Sequence, residues 1–285
     1  MTDEILTGLG AIPLGLAPIA IPFIVFGILE RHFPARQLKP ASGWVFNIKL
    51  SMMYLAVPTL MGGYIASIVS MVRGINGGGL IDLDIDGNAS VPAAIGATVL
   101  FLLAFDFFYY WWHRAQHEVQ ALWAIHKLHH MDETLGVSTQ MRCHWLEEIG
   151  RIPFIFVPMA LLFNLPLHAG LIAFVLTFWT GLIHSNLRMG FGKASVLLAG
   201  PQIHRIHHSS QKQHFDKNYA ALFPIYDLIF GTYYHPASDE YPPTGVRNEP
   251  EIQSVSQAFL LPFRDWCKMI PQRRDEADLP NGSRD

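Results

Sequence analysis

The chain has 285 residues, of which 51% are hydrophobic and 15% charged, with a mean hydropathy of +0.24. A soluble domain carries about 25% charged residues, so much of this surface is expected to face lipid instead of water. The formal net charge of -3 gives no basis for a nucleic-acid partner, and two cysteines, Cys143 and Cys267, supply neither a disulfide framework nor a CxxC pair.

Four stretches lack Asp, Glu, Lys and Arg: Ile5–Leu29, Leu50–Val72, Gly87–Phe105 and Ile152–Leu187. A spanning helix needs roughly 20 apolar residues, so the first three are expected to be single spans. Asp3 and Glu4 stand where a signal peptide would carry positive charge, which argues against one. The third stretch is expected to run on through Asp106 to Trp112, because Phe107-Phe-Tyr-Tyr-Trp-Trp112 makes an interfacial aromatic belt. Asn164-Leu-Pro166 breaks the fourth, 36-residue stretch and predicts a turn, so residues 152–187 are expected to form a membrane hairpin.

Basic residues orient this layout. Arg31, Arg36, Lys39 and Lys49 fall between the first two spans, and only Arg73 between the next two, beside Asp82, Asp84 and Asp86. Fifteen of the 20 basic residues follow the third span. The bias toward basic cytoplasmic loops then puts the N-terminus outside and most of the chain from about His113 inside. The expected fold class is an all-α integral membrane protein with about three spans, a membrane hairpin and a cytoplasmic histidine-rich helical cap. The expected divisions are 1–112 for the N-terminal spans, 113–235 for a histidine-rich catalytic region, and 236–285 for a cytoplasmic tail.

Histidine is the unusual residue, with 11 of 14 copies between His113 and His208. Three clusters stand out: His113-x3-His117, His126-x2-His129-His130 and His204-x2-His207-His208. On a helix, positions i, i+3 and i+4 share a face, so each cluster can aim its imidazoles at one place. Neutral imidazole ligates Fe, Zn, Cu and Ni. Eight histidines exceed what one ion takes and imply two metals, and His184, at the end of the hairpin, offers a ninth ligand at the same face. His144 is open between a tenth ligand and a supporting residue. His214 is expected to be supporting or at the surface, and His32, His168 and His235 ordinary. The HExxH, GxSxG, Walker-type and CxxCH patterns are all absent.

The run Asp106-Phe-Phe-Tyr-Tyr-Trp-Trp-His113-Arg-Ala-Gln-His117 resembles the first histidine box of the fatty acid hydroxylase/sterol desaturase superfamily. Trp123-Ala-Ile-His126-Lys-Leu-His129-His130 resembles the second. His204-Arg-Ile-His207-His208, followed by Asp216-Lys-Asn-Tyr219 and Tyr226-Asp-Leu-Ile-Phe-Gly-Thr-Tyr233, resembles the third, in its alkylglycerol monooxygenase-like and bacterial sterol desaturase-like branch. The resemblance covers roughly Phe105 to Tyr234. It implies a di-iron centre, O2 as cosubstrate, and hydroxylation or desaturation of a C–H bond in a sterol, fatty acyl or alkyl lipid. It carries metal ligation onto His113, His117, His126, His129, His130, His204, His207 and His208, and less directly onto His184.

Carboxylates and amides are expected to orient the ligand rings. The candidates are Asp106, Asp132, Glu147, Asp216 and Asp227, with Asn186, Asn218 and Tyr219, against the alternative of helix capping and surface pairing. Phe107, Phe108, Tyr109, Phe178 and Trp179 are candidates for an apolar substrate wall. No reductase segment is visible, so a separate electron-transfer protein or reductant is an expected partner. The location would be the inner membrane of a bacterium or the endoplasmic reticulum of a eukaryote, with the site on the cytoplasmic side. Two other classes remain: a metal transporter or sensor, whose ligands belong inside the spans, and a membrane zinc hydrolase, which eight histidines over-supply.

Overall fold

Long apolar segments without charge satisfy their backbone polar groups internally, and helices do so most simply. A computed structural model describes residues 20–83, 90–164, 169–250, 252 and 254–269. Most of the first expected span, Ile5–Leu29, lies outside the described residues, as do residues 165–168 of the hairpin turn and the tail after Met269. Among the described residues no strand forms, and three isolated bridges (Pro34–Leu187, Ile81–Phe163 and Ser209–Thr244) are the only β pairings.

The helices in chain order are α1 (20–32), α2 (Ala41–Asn76), α3 (Val91–Glu118), α4 (Gln120–His130), α5 (Trp145–Arg151), α6 (Val157–Leu162), α7 (Ala169–His184), α8 (Pro201–His207), α9 (Ile225–Phe230) and α10 (Val255–Met269). A π-helical turn, Ile152–Phe156, joins α5 to α6. Among the described residues, α3 is the one unbroken helix long and apolar enough to cross a bilayer. The second expected span sits in α2, which reaches that length only as two segments, Ala41–Ala56 and Thr59–Ile75, bent by 41°. Pro58 lies in the break and lacks the N–H that would continue the ladder.

The outer faces of these helices are apolar. Met52, Leu60, Tyr64 and Ile75 on α2 and Val91, Ile95 and Val99 on α3 are exposed, while the polar histidine region is buried. An apolar exterior around a polar interior is the arrangement expected of a surface in lipid.

Two local features position the site. One extended residue, Val119 (φ -98°, ψ 111°), separates α3 from α4, so α4 folds back against the end of α3 that bears His113 and His117. Gly150 lets α5 approach α3: a Cβ there would lie 2.3 Å from the ring of Trp112. α4 packs on α10 through Leu128, Met131, Ala258 and Leu261, together with Leu50 of α2, and α8 packs on α7.

Candidate metal centre

Nine histidines meet at the junction of α3, α4, α7 and α8, in two groups whose donor nitrogens lie within 4.8 Å of one another. The first group is His113, His117, His126, His130 and His207, and the second is His129, His184, His204 and His208. The sequence clusters do not map one to one onto these groups. The i,i+4 pairs stay together: His113 with His117, His126 with His130, and His204 with His208. The i+3 members cross over, so His129 joins the second group and His207 the first. The rings of His130 and His208 stack with centroids 4.3 Å apart where the groups meet.

Hydrogen bonds fix several tautomers. His113 Nδ1 donates to the Tyr219 carbonyl at 2.7 Å, His184 Nδ1 to the Thr180 carbonyl at 2.8 Å, and His207 Nδ1 to the Lys217 carbonyl at 2.8 Å. His126 Nδ1 donates to Glu147 Oε2 at 3.2 Å, an oxygen that also accepts from Gln116 at 3.1 Å. A neutral imidazole that donates from Nδ1 has its lone pair on Nε2. Those Nε2 atoms point inward: His113 to His126 is 3.1 Å, His126 to His130 is 3.2 Å, His184 to His129 is 3.0 Å and His184 to His204 is 2.9 Å.

In the His113–His126 contact both facing nitrogens carry lone pairs, so no hydrogen bond joins them. Two further inward ring nitrogens, His117 Nε2 and His207 Nε2, are buried with no hydrogen-bond partner. Opposed lone pairs and unpartnered inward nitrogens are costly unless a cation lies among them. Two ligands about 2.1 Å from a shared ion and at right angles to each other lie about 3 Å apart, which matches these separations. Protonation is disfavoured as well. Burial, then the neighbouring imidazoles, hold His129, His130, His204 and His208 well below the ordinary histidine value, and burial pushes His207 down to about 3. A donor set of histidine nitrogens with no carboxylate among them fits divalent transition metals and offers no anionic oxygen for Mg2+ or Ca2+.

The expected supporting residues divide. Glu147 touches a ring directly. Asp106 instead accepts the N–H groups of Ala221, Leu222 and Phe223, while Asp227 accepts those of Tyr219 and Ala220. Together the two carboxylates hold the segment whose Tyr219 carbonyl orients His113. Asp132 is bound by Lys39, Asn47 and Thr139, and Asn186 by Arg36 and Arg205. Asp216 lies 3.8 Å from His117 Nδ1, beyond hydrogen-bond range. Asn218 pairs with the backbone of Tyr234. The structure does not bring His144 to the cluster. Its Nδ1 caps α5 by accepting the Leu146 N–H, and its Nε2 donates to the Phe259 carbonyl, so both nitrogens are used. His214 is buried between Ser209 and Glu240, away from both groups.

Sequence reasoning missed the three backbone carbonyls at Thr180, Lys217 and Tyr219. It also missed Gly245, Val246 and Arg247, which join Trp123 and Phe215 around a cavity of about 340 Å³ that opens onto His117, His130 and His207. Of the residues expected in an apolar wall, Phe107 packs on Tyr226, Phe178 on Phe26 and Trp179 near Phe191, and Phe108 and Tyr109 pack with the Trp112 core.

Residues 98–232, which hold all nine histidines, match the model of the Fatty acid hydroxylase family. The alkylglycerol monooxygenase of Danio rerio is 38% identical over 205 residues, covering 64% of this chain and 45% of that protein. Ornithine lipid hydroxylase OlsE of Rhizobium tropici is 32% identical over 163 residues (57% of this chain, 47% of that protein), and the lathosterol oxidase of Mus musculus is 30% identical over 174 (57% and 54%). The chain thus spans about half the length, or less, of the curated relatives it matches. No solved structure matches it.

Proposed function

We propose that this protein is an integral-membrane oxidoreductase that holds two iron ions, one in each histidine group, and uses O2 to hydroxylate or desaturate a lipid. The observation that carries the reading is the convergence of nine buried imidazoles in two adjacent groups, with opposed or unpartnered ring nitrogens among them. The family of the segment and the names of its relatives support the lipid and the oxidation.

Helix length supports the membrane placement. The 28 residues of α3 are about 42 Å long against a hydrocarbon core of about 30 Å. A span that begins near Val91 leaves His113 and His117 just past the core, at the water–lipid boundary. The excess of Lys and Arg after α3 favours the cytoplasmic side for that boundary.

His113, His117, His126, His130 and His207 would hold one ion, and His129, His184, His204 and His208 the other. When bound, such a pair supplies activation of O2 for attack on an unactivated C–H bond. The chain's own part is positional. Glu147 and the carbonyls of Thr180, Lys217 and Tyr219 keep Nδ1 protonated and Nε2 free on four rings. Asp106 and Asp227 hold the 219–223 segment so that the Tyr219 carbonyl stays in place. Burial excludes water from the histidines, which restricts side reactions of a strong oxidant. Electrons come from a separate reductant.

Purified protein in lipid nanodiscs tests this by elemental analysis together with O2 consumption in the presence of reductant. Two irons per chain, and lipid products that have gained one oxygen or lost two hydrogens, are expected. A single zinc with no O2 uptake would overturn the reading.

A further inference from the structure

A second cavity, of about 490 Å³, lies between α2, α3, α6 and α7, and no histidine lines it. Its wall is apolar, with Ile65, Val69, Phe101, Phe105, Met159 and Leu176 among the lining residues. Only two charged residues reach it, Arg73 and Glu148. From Gly62 to Arg73 its α2 wall extends about 16 Å.

The two charged residues differ. Arg73 is half-buried and donates to the Phe163 carbonyl at 3.1 Å, at the end of α2 remote from α5. Glu148 is buried and follows Glu147, the carboxylate that holds His126. Glu148 Oε2 accepts from the Tyr54 hydroxyl at 2.6 Å and from Arg151 at 3.3 Å. Both partners use Oε2, which leaves Oε1 for a donor in the cavity.

We infer that this cavity takes a single alkyl or acyl chain ending in an uncharged hydrogen-bond donor such as a hydroxyl, with that end at Glu148 Oε1 and the tail toward Arg73. The inference deepens the oxygenase reading and rests on it for the claim that the bound lipid is the substrate. A carboxylate oxygen accepts a hydroxyl proton readily. An anionic head would face Glu148 in apolar surroundings, where like charges repel strongly. The reverse orientation would press a methyl end onto the carboxylate and leave Oε1 without a partner. At the far end the Arg73 guanidinium donates to the Phe163 carbonyl and its Nε is buried without a partner, so the tail meets that end along the Arg73 stem.

Photo-crosslinking reads binding without any oxidation step. The full chain in nanodiscs is irradiated with hexadecanol carrying a chain diazirine, or with the corresponding hexadecanoic acid, and labelled peptides are mapped. The alcohol is expected to label Phe101, Met159 and Leu176 about tenfold more than the acid does, the weight of one charge-assisted hydrogen bond. Ala160→Trp and, on a different helix, Ala173→Trp should abolish that labelling with metal content unchanged. Glu148→Gln should bring the alcohol and the acid to similar levels. Labelling confined to outward residues such as Leu60 and Met71, or equal labelling by acid and alcohol in the wild type, would overturn the inference. Cavity labelling in a protein without iron or O2 uptake would sink the oxygenase reading alone; O2 uptake with an unlabelled cavity would sink this inference alone.

Discussion

Replacing Asp106 with Ala should loosen the metal centre from a distance, although Asp106 touches none of its rings. Its carboxylate is fully buried and accepts three consecutive backbone N–H groups, from Ala221 (3.0 Å), Leu222 (3.2 Å) and Phe223 (2.6 Å). Ala leaves three buried donors without an acceptor. Each unsatisfied donor costs about 1–3 kcal/mol, so even the low end sums to about 3 kcal/mol. That is a large share of a net stability of about 5–15 kcal/mol. For a chain of this size, it corresponds to a fall of roughly 6–12 °C in melting temperature. The freed segment begins two residues after Tyr219, whose carbonyl sets the His113 tautomer, so metal retention should fall too.

The assay is thermal unfolding of detergent-solubilised wild type, Asp106→Ala and Asp106→Asn, with bound metal measured on the same samples. Asn keeps one acceptor oxygen and should fall between the other two. If Asp106→Ala melts within about 2 °C of the wild type with full metal content, the claim that this carboxylate anchors the 219–223 segment is wrong, since the lost bonds alone predict several times that shift.

The division of histidines between groups predicts distinct metal losses: His129→Ala should deplete the second ion and His130→Ala the first, which iron spectroscopy resolves as two different residual sites; identical residual spectra would contradict the assignment. Glu147→Gln keeps an oxygen near His126 but removes the charge that supports its N–H, so affinity for the first ion should drop about 10–100-fold in a chelator competition. The metal-free protein should lose stability in acid. His207 is pushed down to about 3 in the fold and titrates near 6.5 when unfolded, and His130, His204 and His208 shift the same way. Through that window the unfolded chain binds more protons, so stability falls as pH drops below about 6.5 and is level above about 7.5. A melting temperature that stays flat down to pH 5 would remove the neutral-imidazole cluster.

What the sequence could and could not show follows from helix geometry. Residues step by about 100° around a helix, so i and i+4 lie about 40° apart while i+3 lies about 60° to the other side. His126 and His130 therefore face one point, and His129 is turned away from it by a wide angle. The same holds for His204 and His208 against His207. The spacing revealed that the histidines converge. It did not reveal that α4 gives its pair to one group and its single residue to the other while α8 does the reverse, because that depends on how two helices distant in sequence face each other. Nor do carbonyls announce themselves, since every residue carries one. The partial signal was Asp216-Lys-Asn218: Asp and Asn tolerate the left-handed region, and both adopt it here with φ of 59°. Those two residues flank Lys217 and precede Tyr219, the residues whose carbonyls meet His207 and His113. Their backbone conformation explains that segment of the third motif better than side-chain chemistry does, since Asp216 falls short of His117 and Asn218 bonds to Tyr234. His144 stayed open between ligand and supporting residue for a related reason. Glu147 and Glu148 mark the start of α5, and a histidine just before a helix start can accept an orphan N–H, a role that counting histidines does not separate from ligation.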